Sequence, residues 1–383
     1  MSGGVDSSVS AALLKEDKPN NFEKLFGRPT PKGFRGYDVT GVFIKTWSPD
    51  WLPRLTGGQA CTWQDERRDA MRVSAKLKIP LITLDLEKEY KEQVVDYMIA
   101  EYRAGRVPNP DVMCNKVIKF GGFFDFAMKN GVDFVATGHY SKVAVSVERL
   151  ANSSLNPKRF TLYAGADAQK DQTYFLWTLT QRELAKTLFP IGNLEKSEVR
   201  KLAKKFDLPN AEKKDSQGLC FMGKIDVKEF LKHYIKEKPG KVLNEASEII
   251  GEHEGATFYT LGERHGFKIT KKGSNDLPYY IVGKDIAKNI LIVSDKKYEG
   301  EILKKEIQIE KVNWNQGEEP SLKKKFQARI RYRQELENCK IEKVAKDSYK
   351  IIFDKGQTAP ASGQSVVIYD KDVCLGGGII ERI

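Results

Sequence analysis

The chain has only four histidines and five cysteines in 383 residues, and no two cysteines form a C-x-x-C pair. That excludes the usual zinc-finger and iron–sulfur ligand patterns. The cysteines, at 61, 114, 220, 339 and 374, are odd in number and scattered. They make no disulfide framework and read as reduced thiols of a cytosolic protein. No apolar run approaches the ~18 residues of a membrane-spanning helix. The opening MSGGVDSS lacks the basic-then-apolar character of a signal peptide. No repeat and no low-complexity tract is present. Acidic residues are in deficit, 52 Asp and Glu against 64 Lys and Arg, for a formal net charge of +12. That surplus permits a polyanionic partner such as nucleic acid without identifying one. What is there is a globular composition, 40% hydrophobic and 10% aromatic, which excludes a wholly disordered chain. The length suggests two or three domains.

The first half alternates strand-like and helix-like segments. Helices are expected over 5–15, 65–77, 90–105 and 120–130, and strands over 37–47, 80–86 and 133–138. Such alternation predicts an α/β domain with a parallel sheet, whose ligands sit at the carboxyl ends of the strands. Residues 17–36 are rich in Pro, Gly and charge and read as a loop or insertion. From about 213 the pattern is mixed, as in a small α+β domain. From about 299 short alternating strands (IQIEKVNW, KFQARIRYR, SYKIIF, QSVVIYD, VCLGGGIIERI) predict a β-barrel. The expected domains are therefore 1–212, 213–298 and 299–383.

Three stretches carry candidate chemistry. Ser2-Gly3-Gly4-Val5-Asp6-Ser7-Ser8 runs into a helix. Paired glycines let the backbone approach an anion, and the helix start with two hydroxyls can cradle phosphate. The string is not a Walker A motif, which needs a Lys after its second Gly. A plain Gly turn with a Ser or Asp cap is the alternative. Cys114 follows Pro108-Asn109-Pro110-Asp111 at an expected helix start, near Lys116 and Lys119. Both settings lower a thiol pKa, and Asp111 stands close enough in sequence to exchange a proton. The alternative is a packed Cys with Asp111 as the cap. Cys220 follows Lys213, Lys214 and Gly218, and reads either as a loop thiolate or as a small apolar residue between Leu219 and Phe221. Cys339 and Cys374 read as structural. Arg329, Arg331 and Arg333 alternate along one expected strand and suggest a phosphate-binding row, or else a solvated face.

SGGVDSS, NPDVMCNKVIKFG, ATGHY, KDQTYFLW, LFPIG, KKDSQGLCFMG, RYR and GQS occur in this order along the chain. Together they resemble the tRNA-specific 2-thiouridylase family, of the N-type ATP pyrophosphatase superfamily. The resemblance implies an ATP-pyrophosphatase domain, a central domain and a C-terminal barrel that meets tRNA. It implies 2-thiolation of uridine at the wobble position (U34): ATP, with Mg2+ as its counterion, adenylates the base, and sulfur arrives from a persulfide on Cys220. Cys114 would attack that persulfide, leaving a transient Cys114–Cys220 disulfide, with Asp111 the third catalytic residue. A sulfur-relay donor protein would supply the sulfur. The implied nucleotide site is Met1, Ser2, Gly3, Gly4, Val5, Asp6, Ser7, Ser8, Ile44 and Gly138. The implied tRNA contacts are Asn109, Pro110, Asp111, His139, Lys170, Asp171, Gln172, Arg331, Tyr332 and Gln364. No resident metal and no membrane are implied.

The same glycine loop would also serve an ATP-dependent ligase or amidotransferase-like enzyme, and a non-catalytic RNA-binding relative is a further alternative. Neither needs both loop cysteines. In the family a strand precedes the glycine loop, whereas this sequence opens on it. The expectation is therefore weak ATP binding, with an upstream start that would tighten it. The expected compartment is the cytoplasm, or an organellar matrix if residues precede Met1.

Overall fold

The computed structural model describes residues 1–16, 36–51, 63–146, 159–214, 226–271, 278–295 and 303–381. Cys61, Cys220 and the 17–35 part of the expected insertion lie outside them. Among the described residues no helix is long and apolar enough to cross a membrane.

The first part holds helices α1 (Val5–Glu16) and α2 (Trp63–Leu77) and four short strands, β1 (Gly41–Lys45), β2 (Leu81–Asp85), β3 (Val135–Ala136) and β6 (Thr187–Leu188). The strands form two parallel ribbons, β1–β2 and β3–β6. Met1 packs against a cluster that holds Val39 and Ile79 and Leu188 of β6. Its amine donates to the Val42 carbonyl. The expected strand over 133–138 is only two residues long. A helical stretch runs from Glu87 to Arg103. Another runs from Pro110 to Lys129 and is π-helical over Cys114–Gly122.

The central part is a five-stranded sheet of order β10-β11-β7-β8-β9. Its strands are β7 (Gly240–Leu243), β8 (Ile249–His253), β9 (Lys268–Ile269), β10 (Tyr280–Asp285) and β11 (Ile290–Ser294). Its core residues Val242, Ile250, Tyr259, Leu291 and Val293 share one cluster with Met98, Ile99, Cys114 and Ile118 of the first part. The central sheet therefore packs on the Glu87–Arg103 stretch and on the helical stretch that carries Cys114.

The C-terminal strands are β12 (Leu303–Trp314), β13 (Phe326–Arg329), β14 (Glu337–Ala345), β15 (Ser348–Thr358), β16 (Ser365–Asp370) and β17 (Val373–Ile380). They pair in the order β12-β15-β14-β13-β16-β17, and β12 pairs with β17, which closes a six-stranded barrel. Alternate residues fill it, among them Ile307, Ile309, Cys339, Ile341, Ile351 and Phe353. Strand β16 is apolar from Val366 to Ile368, and both its faces are covered. Val366 and Ile368 point into the barrel, while Val367 and Tyr369 join a second cluster with Leu162, Tyr174 and Trp177. Gly376 (φ +145) lets β17 cross β12, since a Cβ there would stand 2.0 Å from the Asn313 carbonyl oxygen. A hairpin from the first part, β4 (Ser141–Ser146) with β5 (Arg159–Ala164), extends this sheet by pairing β5 with the start of β17.

Candidate active site

The glycine loop is built by residues far apart in sequence. Gly3 has φ +71 and lies so close to α2 that a Cβ would stand 2.4 Å from the Glu66 carbonyl oxygen. Asn210 Nδ2 donates to Gly3 O at 2.9 Å and to Ser8 Oγ at 3.0 Å. Its own Oδ1 is buried without a hydrogen-bond partner among the described residues. Ser7 Oγ and Ser8 Oγ both donate to Gly4 O, at 3.1 and 2.9 Å, and Ser2 N donates to Ser7 Oγ at 3.2 Å. Val5 is buried in a cluster with Val9 and Tyr140, which seats the first turn of α1. Asp6 does not face the solvent alone: Tyr140 Oη and Lys196 Nζ both donate to its Oδ1, at 2.9 and 2.7 Å. Gly138 closes against the loop, since a Cβ there would sit 2.7 Å from Ser7 N.

The loop is electrically mixed. Among the described residues Lys196 pairs with Asp6 at 2.7 Å and Lys213 with Asp69 at 2.8 Å. Burial pushes the Glu66 carboxyl up to about 7, against the pull of Lys213. A helix start, two hydroxyls and a lysine suit a polyphosphate. Tyr140, Lys196 and Asn210 were not singled out from the sequence. Tyr140 follows ATGH directly, but Lys196 and Asn210 carry no local signal.

The Cys114 segment differs from expectation at its start. Asn109, not Asp111, caps the helix, its side chain accepting from Val112 N at 3.2 Å, and Pro110 takes the first helical position. Cys114 therefore sits a full turn inside the helical run rather than at its start. It is 0% exposed and lies in the apolar cluster that also holds Ile44. The helix-start contribution to a lowered thiol pKa fades within the first turn, so that part of the argument does not carry over. Asp111 is half-buried on the same turn. Asn115 donates to Phe175 O at 3.4 Å, and its Oδ1 is buried without a hydrogen-bond partner among the described residues.

His139 joins the two stretches. It is buried, directly after Gly138, with Nε2 3.5 Å from Lys119 Nζ and Nδ1 2.8 Å from Thr137 Oγ1. Burial, and secondarily the Lys119 charge, lower its pKa well below the ordinary histidine value. Lys119 only donates, so the neutral ring accepts at Nε2 and carries its proton at Nδ1.

The barrel meets this region at one edge. Gln364 Nε2 donates to Pro108 O at 3.2 Å, and Val107 N to Ser362 O at 2.7 Å. Tyr332 packs on Phe175 with ring centroids 4.6 Å apart. Arg331 Nη2 donates to Ala359 O at 2.7 Å. Arg331, Tyr332 and Arg333 line a groove of about 640 Å³ with Lys355, Gln357 and Thr358. The expected row of Arg329, Arg331 and Arg333 does not form. Strand β13 ends at Arg329, whose side chain turns inward to Asp171. Arg333 has left-handed φ (+64) and stacks over Tyr332 at 5.1 Å. Lys170 is half-buried, its backbone N donating to Asp167 O at 3.0 Å; Asp171 is buried; and the Gln172 side chain accepts from Tyr140 N at 3.0 Å.

The comparisons fit this arrangement. The family profile of the tRNA methyl transferase HUP domain matches residues 33–224, that of the tRNA methyl transferase PRC-barrel domain 228–295, and that of the aminomethyltransferase beta-barrel domain 304–380. The chain is 42% identical over 383 residues to the tRNA-specific 2-thiouridylase MnmA of Streptococcus mutans, covering 100% of this chain and 94% of the relative. The same enzyme of Geobacillus thermodenitrificans is 40% identical over 384 residues, with the same coverage. With likeness along its whole length, the chain belongs to the tRNA-specific 2-thiouridylase family.

Proposed function

We propose that this protein replaces the 2-oxygen of a uridine in tRNA with sulfur, in a reaction driven by ATP, with U34 as the target. The observation that carries the reading is the full-length likeness to relatives named for that activity. The uracil carbonyl oxygen is a poor leaving group, and adenylation makes it a good one. The glycine loop suits the phosphates of ATP, with Mg2+ as counterion: Gly3 and Gly138 let the loop pack closely on its neighbours, Ser7 and Ser8 carry hydroxyls at the helix start, and Lys196 is a cation beside Asp6. Ile44 suits the purine side. Asn109, Pro110 and Asp111 form the rim on which the target base would rest, between the Cys114 helix and the barrel.

The sulfur would be held as a persulfide on Cys220, received from a relay protein that keeps a thiol in return. Cys114 would attack the inner sulfur of Cys220, forming a Cys114–Cys220 disulfide and releasing the outer sulfur as hydrosulfide. Hydrosulfide then attacks the activated carbon and AMP departs. An external thiol must reduce the disulfide before the next turnover. Cys114 itself is 0% exposed and packs in the cluster that holds Ile44 and Ile118. The test is pyrophosphate release from ATP with unmodified tRNA. Release that depends on tRNA supports the reading, and release independent of tRNA contradicts it.

A further inference from the structure

The segment 165–172 touches both the barrel and the glycine loop. The Asp171 side chain is 6% exposed and Arg329 Nη2 lies 2.5 Å from its Oδ2, with Arg329 8% exposed. Gly165 N and Thr173 N both donate to Asp171 Oδ1, at 3.2 and 3.1 Å. Arg329 Nη2 also donates to Tyr369 Oη of β16 at 2.7 Å. Breaking such a pair from one side leaves a buried charge without its partner. At the next residue Gln172 N donates to Tyr140 O, and Tyr140 N to Gln172 Oε1, both at 3.0 Å. Tyr140 Oη then donates to Asp6 at 2.9 Å. Lys196, which also holds Asp6, has its backbone N bonded to Asp167 Oδ2 at 3.0 Å. Gly165 packs so tightly that a Cβ would sit 2.7 Å from the Tyr140 carbonyl oxygen.

We propose that Arg329 and Asp171 are positioning residues for the nucleotide loop: their pair fixes segment 165–172, and Gln172 and Tyr140 pass that position on to Asp6. Family resemblance alone would make Asp171 an outward contact for tRNA. Its burial turns it inward, and a barrel residue thereby governs ATP binding. The inference rests on the proposed function for the identity of the nucleotide.

The test measures ATP affinity directly, by equilibrium binding to the full chain, with pyrophosphate release on tRNA beside it. The variants are Arg329→Met, Asp171→Asn, their double variant and Tyr140→Phe. Each single variant is expected to weaken ATP about tenfold, within the range of a typical coupling free energy, with tRNA affinity unchanged. The double variant should be no worse than the more impaired single, because both remove one interaction. Tyr140→Phe removes the hydroxyl that donates to Asp6 and decides the matter if the buried variants fail to fold. Wild-type ATP affinity in Tyr140→Phe would overturn the inference. So would a lowered melting temperature in Arg329→Met with wild-type ATP affinity, the pattern of a merely structural pair. A wild type that binds ATP but releases no pyrophosphate on tRNA would instead defeat the proposed function, and the binding results would still judge the inference.

Discussion

The carbonyl of Pro108 accepts a hydrogen bond from Nε2 of Gln364, 3.2 Å away and 256 positions later in the chain. With Val107 N bonded to Ser362 O, it makes the rim before Cys114 a joint structure of the first part and the barrel. A ligand that seats on the barrel therefore acts on the backbone leading into Asn109, Pro110 and Asp111.

Gly363 is the weak point of that joint. Its φ is +93, and a Cβ would stand 3.0 Å from the Val107 carbonyl oxygen. Gly363→Ala should cost about 1–3 kcal/mol from backbone strain alone. Thermal melting should show the loss, and the KM for tRNA should rise more than the KM for ATP. A wild-type melting temperature would show that the rim does not depend on this turn.

The cysteines should separate cleanly. Cys114→Ala and Cys220→Ala are expected to abolish thiolation while leaving tRNA retention on filters nearly unchanged. Cys339→Ala should be close to wild type in activity. Burial pushes the Cys339 thiol up to about 12 and raises Cys374 as well, so iodoacetamide at pH 8 should label neither in the folded protein. Inactivity of Cys339→Ala as complete as that of Cys220→Ala would overturn this division of roles.

Glu66 gives ATP binding a pH dependence. Its carboxyl, raised by burial to about 7, is largely neutral below that pH and ionised above it. Ionisation puts a negative charge beside the loop proposed to hold phosphate. ATP affinity should therefore fall as pH rises through about 7, and Glu66→Gln should flatten the profile. Identical profiles for wild type and Glu66→Gln between pH 6 and 8 would remove Glu66 from the account.

His139 should leave its mark on stability. It is held neutral in the folded state, while the unfolded chain protonates it below its ordinary value of ~6.5. The unfolded state then binds the extra proton, so stability falls as pH drops below about 6.5, by up to ~1.4 kcal/mol per unit. Urea unfolding at pH 7.5 and pH 5.5 should show a larger loss for wild type than for His139→Gln. Equal losses would mean that the ring is charged or exposed.

The barrel was legible because its strands alternate and face one core, as in Ile307 and Ile309. Strand β14 was missed, since only Cys339 and Ile341 mark its buried face among charged residues. Closure of β12 on β17 and the addition of the β4–β5 hairpin involve pairing across long separations, which periodicity does not encode. The arginine row failed for the same reason. Alternation placed Arg329 on a surface face, and only the partner Asp171, 158 positions away, draws it inside. At the glycine loop the anion-binding string was plain, while Lys196 and Asn210 reach it by tertiary packing alone. The cap on the Cys114 helix fell to Asn109 because Pro110 takes the first helical position, which shifts Cys114 inward by a turn.

The most direct measurement of the central claim is mass spectrometry of tRNA nucleosides after incubation with the purified protein, ATP and a sulfide or persulfide donor. The account predicts 2-thiouridine at the wobble position, dependent on ATP and absent with Cys220→Ala. Unmodified uridine under all these conditions, in a protein that binds both ATP and tRNA, would contradict it.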